Sequence, residues 1–281
     1  MRAAELVPAA GSATQGGSAV WLRWSGTALA ASAWFSAALF GIYIIFFYAG
    51  AIAVGTPADW NEVLPGLFAP ETPAATAGIA AHFAAGAILL LLGPVQLVGR
   101  IRRAAPALHH WIGRLYVASA LIAGLGGLAF ILVRGTVGGT VMDLGFGLYG
   151  ALVVAAAVET LRHARARRLE RHRAWAIRLF ALAIGSWLYR LEYGLWFVAT
   201  GAAGHTADFR GGFDLVMDFA FYLPNLLVAE LFIRARAAPG RPLLQTVSAL
   251  LLTAATAVIA LATWEFARLA WLPGIAFRVT G

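Results

Sequence analysis

Three histidines stand where an imidazole could do chemistry. His82 lies inside an apolar run. His109 and His172 each open one, and the residues that follow repeat: His109-His110-Trp111-Ile112-Gly113-Arg114, then His172-Arg173-Ala174-Trp175-Ala176-Ile177-Arg178. An ionisable side chain within an apolar segment is a functional candidate, and neutral imidazole is a common axial ligand of haem iron. His82, Gly86, Leu89, Gly93 and Gln96 recur at helical spacing and share one face. His109, Gly113, Tyr116, Ala120 and Gly124 form a second such stripe, and His172, Ala176, Leu179, Ala183, Ser186 and Arg190 a third. Small residues on a stripe leave room for a flat cofactor. They serve the close packing of membrane helices equally well.

Depth decides which histidines can share a metal. His82 sits about 10 Å inside one boundary at 1.5 Å per residue, whereas His109 and His172 lie at the other. Across a hydrocarbon core of about 30 Å, His82 is too far from either to share an iron. His109 and His172 are therefore the expected axial pair of one haem b. His82 needs a separate partner, for which Met142, Met217 or a folded-in His205 are the candidates. Arg114 and Arg178 follow the two histidines by one to two turns. With the free N–H groups of a helix start, they suit haem propionates, a lipid phosphate or an anionic substrate. His163 and His205 read as solvated loop residues, and His110 as interfacial.

The remaining charges inside apolar runs are Glu159, Arg190, Glu192, Asp218 and Glu230, with Asn225 as a polar neighbour. Arg190 and Glu192 are two apart and do not share a helix face. Arg190 is expected to find a carboxylate, Glu192 or Asp218, or a polar cavity. Asn225 and Glu230 could line an ion or proton path, or Glu230 could belong to a structural ion pair.

The elements that must position these residues are membrane helices. The 281 residues are 61% hydrophobic and 12% charged, far from the balance of a soluble domain. Seven segments have the length and apolarity of a membrane span, approximately Gly26–Val54, Ala75–Val98, Leu108–Val133, Val141–Leu161, Ala174–Ala199, Asp214–Ile233 and Leu244–Ala267. The expected fold is all-α, a polytopic transmembrane bundle in one domain over residues 21–281. Residues 1–20 read as a disordered tail. Every cation other than histidine is Arg, and most fall at Arg100–Arg103, Arg162–Arg178 and Arg234–Arg241. The positive-inside rule then places the amino terminus in the cytoplasm and the carboxyl terminus outside. Trp60, Trp196 and Trp271 are expected as outer interfacial anchors, and Trp24, Trp111 and Trp175 as inner ones. Helix-end arginines explain the net charge of +8 without nucleic acid. The chain has no cysteine, which excludes disulfides, thiolate metal sites and thiol catalysis. It also lacks a Gly-rich phosphate loop and a His-Glu-x-x-His motif.

Four pieces together resemble a bacterial "predicted membrane protein" family of unknown function. They are His82 with Gly86 and Gly93-Pro94-Val95-Gln96; the Arg100–Arg103 turn with Pro106; His109 through Gly113-Arg114 to Tyr116; and His172-Arg173 with Trp175 and Arg178. The family signature is His…Gly-Pro-x-Gln, His-Arg-x-x-Gly-Arg and His-Arg-x-Trp, and the resemblance spans roughly Ala75 to Arg190. This chain departs at His110, where the family has Arg, and at Ala174. The layout is similar to di-haem cytochrome b and ferric-reductase-like membrane proteins. That similarity implies a haem, by analogy of layout.

The leading expectation is a multipass protein of the bacterial inner membrane that binds haem b for electron transfer, with membrane lipid, other membrane subunits or a quinone as partners. The alternatives are a non-catalytic subunit or lipid-binding module that packs against a larger complex, and a transporter for a small ion or proton.

Overall fold

The computed structural model describes residues 11–63 and 68–280, and every regular element among them is a helix. In chain order these are α1 (Gly11–Ile44), α2 (Gly50–Ala53), α3 (Trp60–Val63), α4 (Pro73–Leu97), α5 (Gly99–Ala104), α6 (Pro106–Arg134), α7 (Thr140–Arg165), α8 (Leu169–Ala183), α9 (Gly185–Thr200), α10 (Gly212–Ala220), α11 (Leu223–Ala237), α12 (Pro242–Phe266) and α13 (Leu272–Thr280). A π-helical turn, Ile45–Ala49, joins α1 to α2, and another, Ala267–Trp271, joins α12 to α13. Of the expected tail, residues 11–20 are helical, and residues 1–10 lie outside the described part.

Local chemistry sets the boundaries. Pro73, Pro106 and Pro242 open α4, α6 and α12, where the missing N–H costs nothing and φ is already helical. Gly135 ends α6 at φ 70° and Gly201 ends α9 at φ 66°, in the left-handed region that only glycine enters cheaply. Thr136 then donates its backbone N–H to Asp143 at 2.6 Å, tying that turn to the start of α7.

Six helical stretches are long and apolar enough to cross a membrane: Gly16–Ala53, Thr76–Leu97, Pro106–Arg134, Thr140–Arg165, Gly212–Ala237 and Pro242–Phe277. The expected fifth segment, Ala174–Ala199, is not among them. It divides into α8 and α9 at Ile184, carries Arg178, Arg190 and Glu192, and is the element most enclosed by protein. Leu179, Leu182, Trp187 and Leu191 are all buried.

Helices α8–α9 contribute to the two largest apolar clusters of the bundle. One joins Phe40, Phe47 and Tyr48 from the α1 region to Trp187, Leu188 and Leu191 of α9 and Ile259 of α12. The other joins Tyr116 and Ala120 of α6, Val153 and Ala157 of α7, Leu179 and Leu182 of α8, and Phe221 and Tyr222. Trp60 and Trp271 are buried in the first cluster, and Trp60 donates its indole N–H to the Tyr48 carbonyl at 3.0 Å. Trp24 and Trp111 are exposed, as interfacial anchors are.

Candidate functional site

The two histidine-bearing helix starts lie at the same end of the bundle. His109 and His172 are each four residues past the residue that caps their helix, Ala105 and Arg168, and each donates its backbone N–H to that residue's carbonyl. The two imidazoles are within electrostatic reach of each other, with Arg102 and His110 beside His109. Both starts carry the same cation–π stack. The Arg114 guanidinium lies 5.0 Å from the Trp111 ring centre, and that of Arg178 lies 4.8 Å from Trp175.

Their surroundings differ. The His172 Nδ1 lies 3.0 Å from the Thr160 carbonyl on α7. A carbonyl can only accept, so this contact fixes the proton on Nδ1 and leaves Nε2 with its lone pair, as in metal-ligating histidines. His109 Nδ1 is buried with no partner among the described residues. Arg178 donates from Nε and Nη2 to Glu230 of α11 at 3.0 and 2.6 Å, and Glu230 also accepts from Arg234 at 2.8 Å. Arg178 is therefore committed to Glu230, not free for a propionate. Arg114 is exposed and forms no ion pair among the described residues. A crevice of about 440 Å³ between α7, α8 and α11 is lined by leucines and alanines, with Trp175, Arg178 and Glu230 at its polar end.

The stripes of α4 and α6 face each other here. A β-carbon at Gly93 would lie 2.8 Å from the Tyr116 ring, and one at Gly113 would lie 3.1 Å from Gln96 Oε1. The small residues in this half of the seam are thus taken up by close packing. The Tyr116 hydroxyl and Gln96 Nε2 are buried without partners among the described residues. With His109 Nδ1 they make three unsatisfied polar atoms at one end of the bundle, a concentration that calls for a ligand or water. Each imidazole retains a nitrogen without a partner among the described residues, and Arg102 is a cation close to His109.

The other expected site residues are placed elsewhere. Glu230 belongs to an ion pair, and Asn225 Nδ2 donates to the Phe221 carbonyl at 2.6 Å. Arg190 does not meet Glu192 or Asp218. It donates to the Ser186 carbonyl at 2.7 Å and lies 5.8 Å from the Phe40 ring centre. Glu192 Oε2 and both Asp218 oxygens are buried without partners among the described residues. His82 is exposed, within electrostatic reach of Arg190 and well away from the other two histidines' end.

Two histidines read as solvated are not. His163 is 3% exposed and lies 3.3 Å from Glu159. His205 sits among the rings of Tyr193, Phe197 and Phe209, and its Nδ1–H donates to Asp214 at 2.7 Å. Asp214, fully buried, also accepts from the Tyr193 hydroxyl and from the backbone N–H groups of Thr206 and Gly211. This buried polar centre organises the 201–211 loop. Its one sequence signal was an acid three residues after Gly211 at a helix start. In the same loop, the Thr206 hydroxyl holds the Asp208 carboxyl below its ordinary range.

A family model described as Predicted membrane protein (DUF2306) matches residues 79–233, more than half of the chain. The match takes in all three stripes and runs on into α11. No curated protein and no solved structure gives a significant match.

Proposed function

The chain belongs to the DUF2306 family of predicted membrane proteins, and we propose that its His109 and His172 hold haem b for electron transfer in a bacterial cytoplasmic membrane. The observation that carries this reading is the pairing of the two helix starts: two imidazoles within electrostatic reach, one with Nδ1 anchored on the Thr160 carbonyl. Bound haem would supply one-electron redox chemistry at that end of the bundle. The chain's own part is to orient the rings and to offer Arg114 to a propionate. Tyr116 closes the α4–α6 seam beside them. This reading includes α8–α9 as a seventh span. The pair runs from Leu169 to Thr200, or roughly 45 Å of helix at 1.5 Å per residue, and its burial among other helices explains how it tolerates Arg and Glu. The Arg distribution supports an amino terminus in the cytoplasm.

The decisive measurement is the visible absorption spectrum of the purified protein. A Soret band is expected, lost in His109→Ala and in His172→Ala and retained in His110→Ala, whose ring is exposed. A colourless wild-type protein expressed with ample haem would defeat the proposal. A second reading, a lipid-binding or non-catalytic subunit, is favoured by the exposed Trp111–Arg114 stack, which is built like a headgroup anchor. Co-purifying subunits without a Soret band would put that reading first.

A further inference from the structure

The α4 stripe behaves differently at its two ends. Near the foot end, Gly93 is packed on Tyr116 and Leu89 is buried. Toward the other end, the same face is open: a β-carbon at Gly86 would meet nothing within 4 Å, and His82 is exposed. Arg190 of α9 is exposed as well. Its surroundings nevertheless come from four parts of the bundle. Phe40 and Tyr48 belong to the α1 region, His82 to α4, Tyr149 to α7, and Ser186 and Tyr189 to α9. An exposed side chain with the Phe40 ring at 5.8 Å and electrostatic neighbours on four parts of the bundle fits a cleft between helices.

The charge of that cleft is unbalanced. A guanidinium is always protonated, and within a membrane it is costly unless paired. No carboxylate of the described residues pairs with Arg190, although Glu192 and Asp218 lie in the same half of the chain. His82 can add only positive charge. The aromatic rings present faces and hydroxyls, not anions.

We propose that this cleft binds one carboxylate, held by the fork of Arg190 beside His82, with the carbon skeleton of the ligand against the surrounding aromatic rings. A single cation matches a single negative charge, and the planar guanidinium fits a carboxylate through two parallel hydrogen bonds. The aromatic walls favour an organic acid over a bare inorganic ion. The carboxylate could belong to a membrane amphiphile or to a small soluble acid. The site is independent of the haem reading, since neither His109 nor His172 lies in it.

The test is ligand-induced thermal stabilisation of the purified full chain, followed by intrinsic fluorescence. The probes are dodecanoate, its uncharged analogue dodecanol, and acetate. Dodecanoate is expected to raise the unfolding midpoint saturably, and dodecanol is not. Acetate acting as well as dodecanoate supports the site with a small soluble acid as its ligand. Dodecanoate acting alone supports it with an amphiphile. Arg190→Gln is expected to weaken the effect at least tenfold, and Arg190→Lys, which keeps the charge but loses the fork, to weaken it less. Equal stabilisation by dodecanol, no stabilisation by either carboxylate, or an unchanged response in a folded Arg190→Gln protein each overturns the proposal. If Arg190→Gln does not fold, the wild-type comparison of dodecanoate with dodecanol still decides.

Discussion

The starts of α6 and α8 carry one device in two settings. Each has a histidine four residues past its cap and an Arg stacked on a Trp. At α8 the device is tied into the bundle: His172 meets the Thr160 carbonyl and Arg178 meets Glu230. At α6 it is left loose: His109 Nδ1 has no partner, and Trp111 and Arg114 are exposed. The same residue types, with Trp and Arg three apart in both, thus build a structural joint in one place and an open, polar edge in the other. What differs is the neighbour. Helix α8 lies between α7 and α11, which supply a carbonyl and a carboxylate, whereas the equivalent face of α6 meets no acid among the described residues.

The largest effects should fall on the tied side. Glu230→Gln leaves Arg178 half-buried without its counter-charge and should cost about 3 kcal/mol, the lower end for breaking one partner of a buried pair. Arg114→Ala should cost well under about 1 kcal/mol, because an exposed cation–π contact contributes little. Unfolding of the two variants in detergent measures both, and equal losses would erase the distinction between the starts.

Next in size is the packed seam that runs between them. Gly93→Ala drives a methyl into the Tyr116 ring and should destabilise by about 2 kcal/mol, in the range for overpacking. Gly86→Ala, one face and two turns away, should be neutral or stabilise by up to about 1 kcal/mol through helix propensity. The same unfolding assay checks the pair. A costly Gly86→Ala would mean that the open end of the stripe is closed.

The smallest separation concerns the histidines in protein that carries no haem. His172→Ala loses the contact with Thr160 and should cost about 1 kcal/mol, a typical net hydrogen bond. His109→Ala removes a ring with no bond to lose at Nδ1 and should cost less. Denaturation of apo protein reads this difference, and a reversed order would show that His109 has a partner after all. Reporter fusions sharpen the comparison in another way. Fusions at Ala105 and Arg168 should both report the cytoplasm, and one at Ala203 the outside. A cytoplasmic signal at Ala203 would remove α8–α9 from the list of spans.

Much of this was legible in the chain. Apolar runs of membrane length are a local signal, and they placed both ends of α4 and α6 to within two residues, but not the start of α1 or the breaks inside α8–α9 and α10–α11. That His109 and His172 open helices at the same end of the bundle was also legible, because the apolar runs between them have membrane length. Other readings failed for a common reason. Trp60 and Trp271 have the composition of interfacial anchors yet are buried, and His205 has the context of a loop residue yet bonds a buried acid. Each outcome depends on which helix lies opposite, and spacing along one helix carries no information about that.

By itself the sequence determined an all-helical membrane protein and the faces on which histidine, glycine and arginine line up. These follow from the length of apolar runs and from residues three and four apart, which act within a single helix. Only the tertiary structure decided which of those faces are filled and which stay open. It gave Arg178 a carboxylate and withheld one from Arg190, and it filled the α4 stripe with Tyr116 at Gly93 while leaving Gly86 clear. Charge compensation and packing are properties of pairs of helices, so they exist only once the bundle has formed.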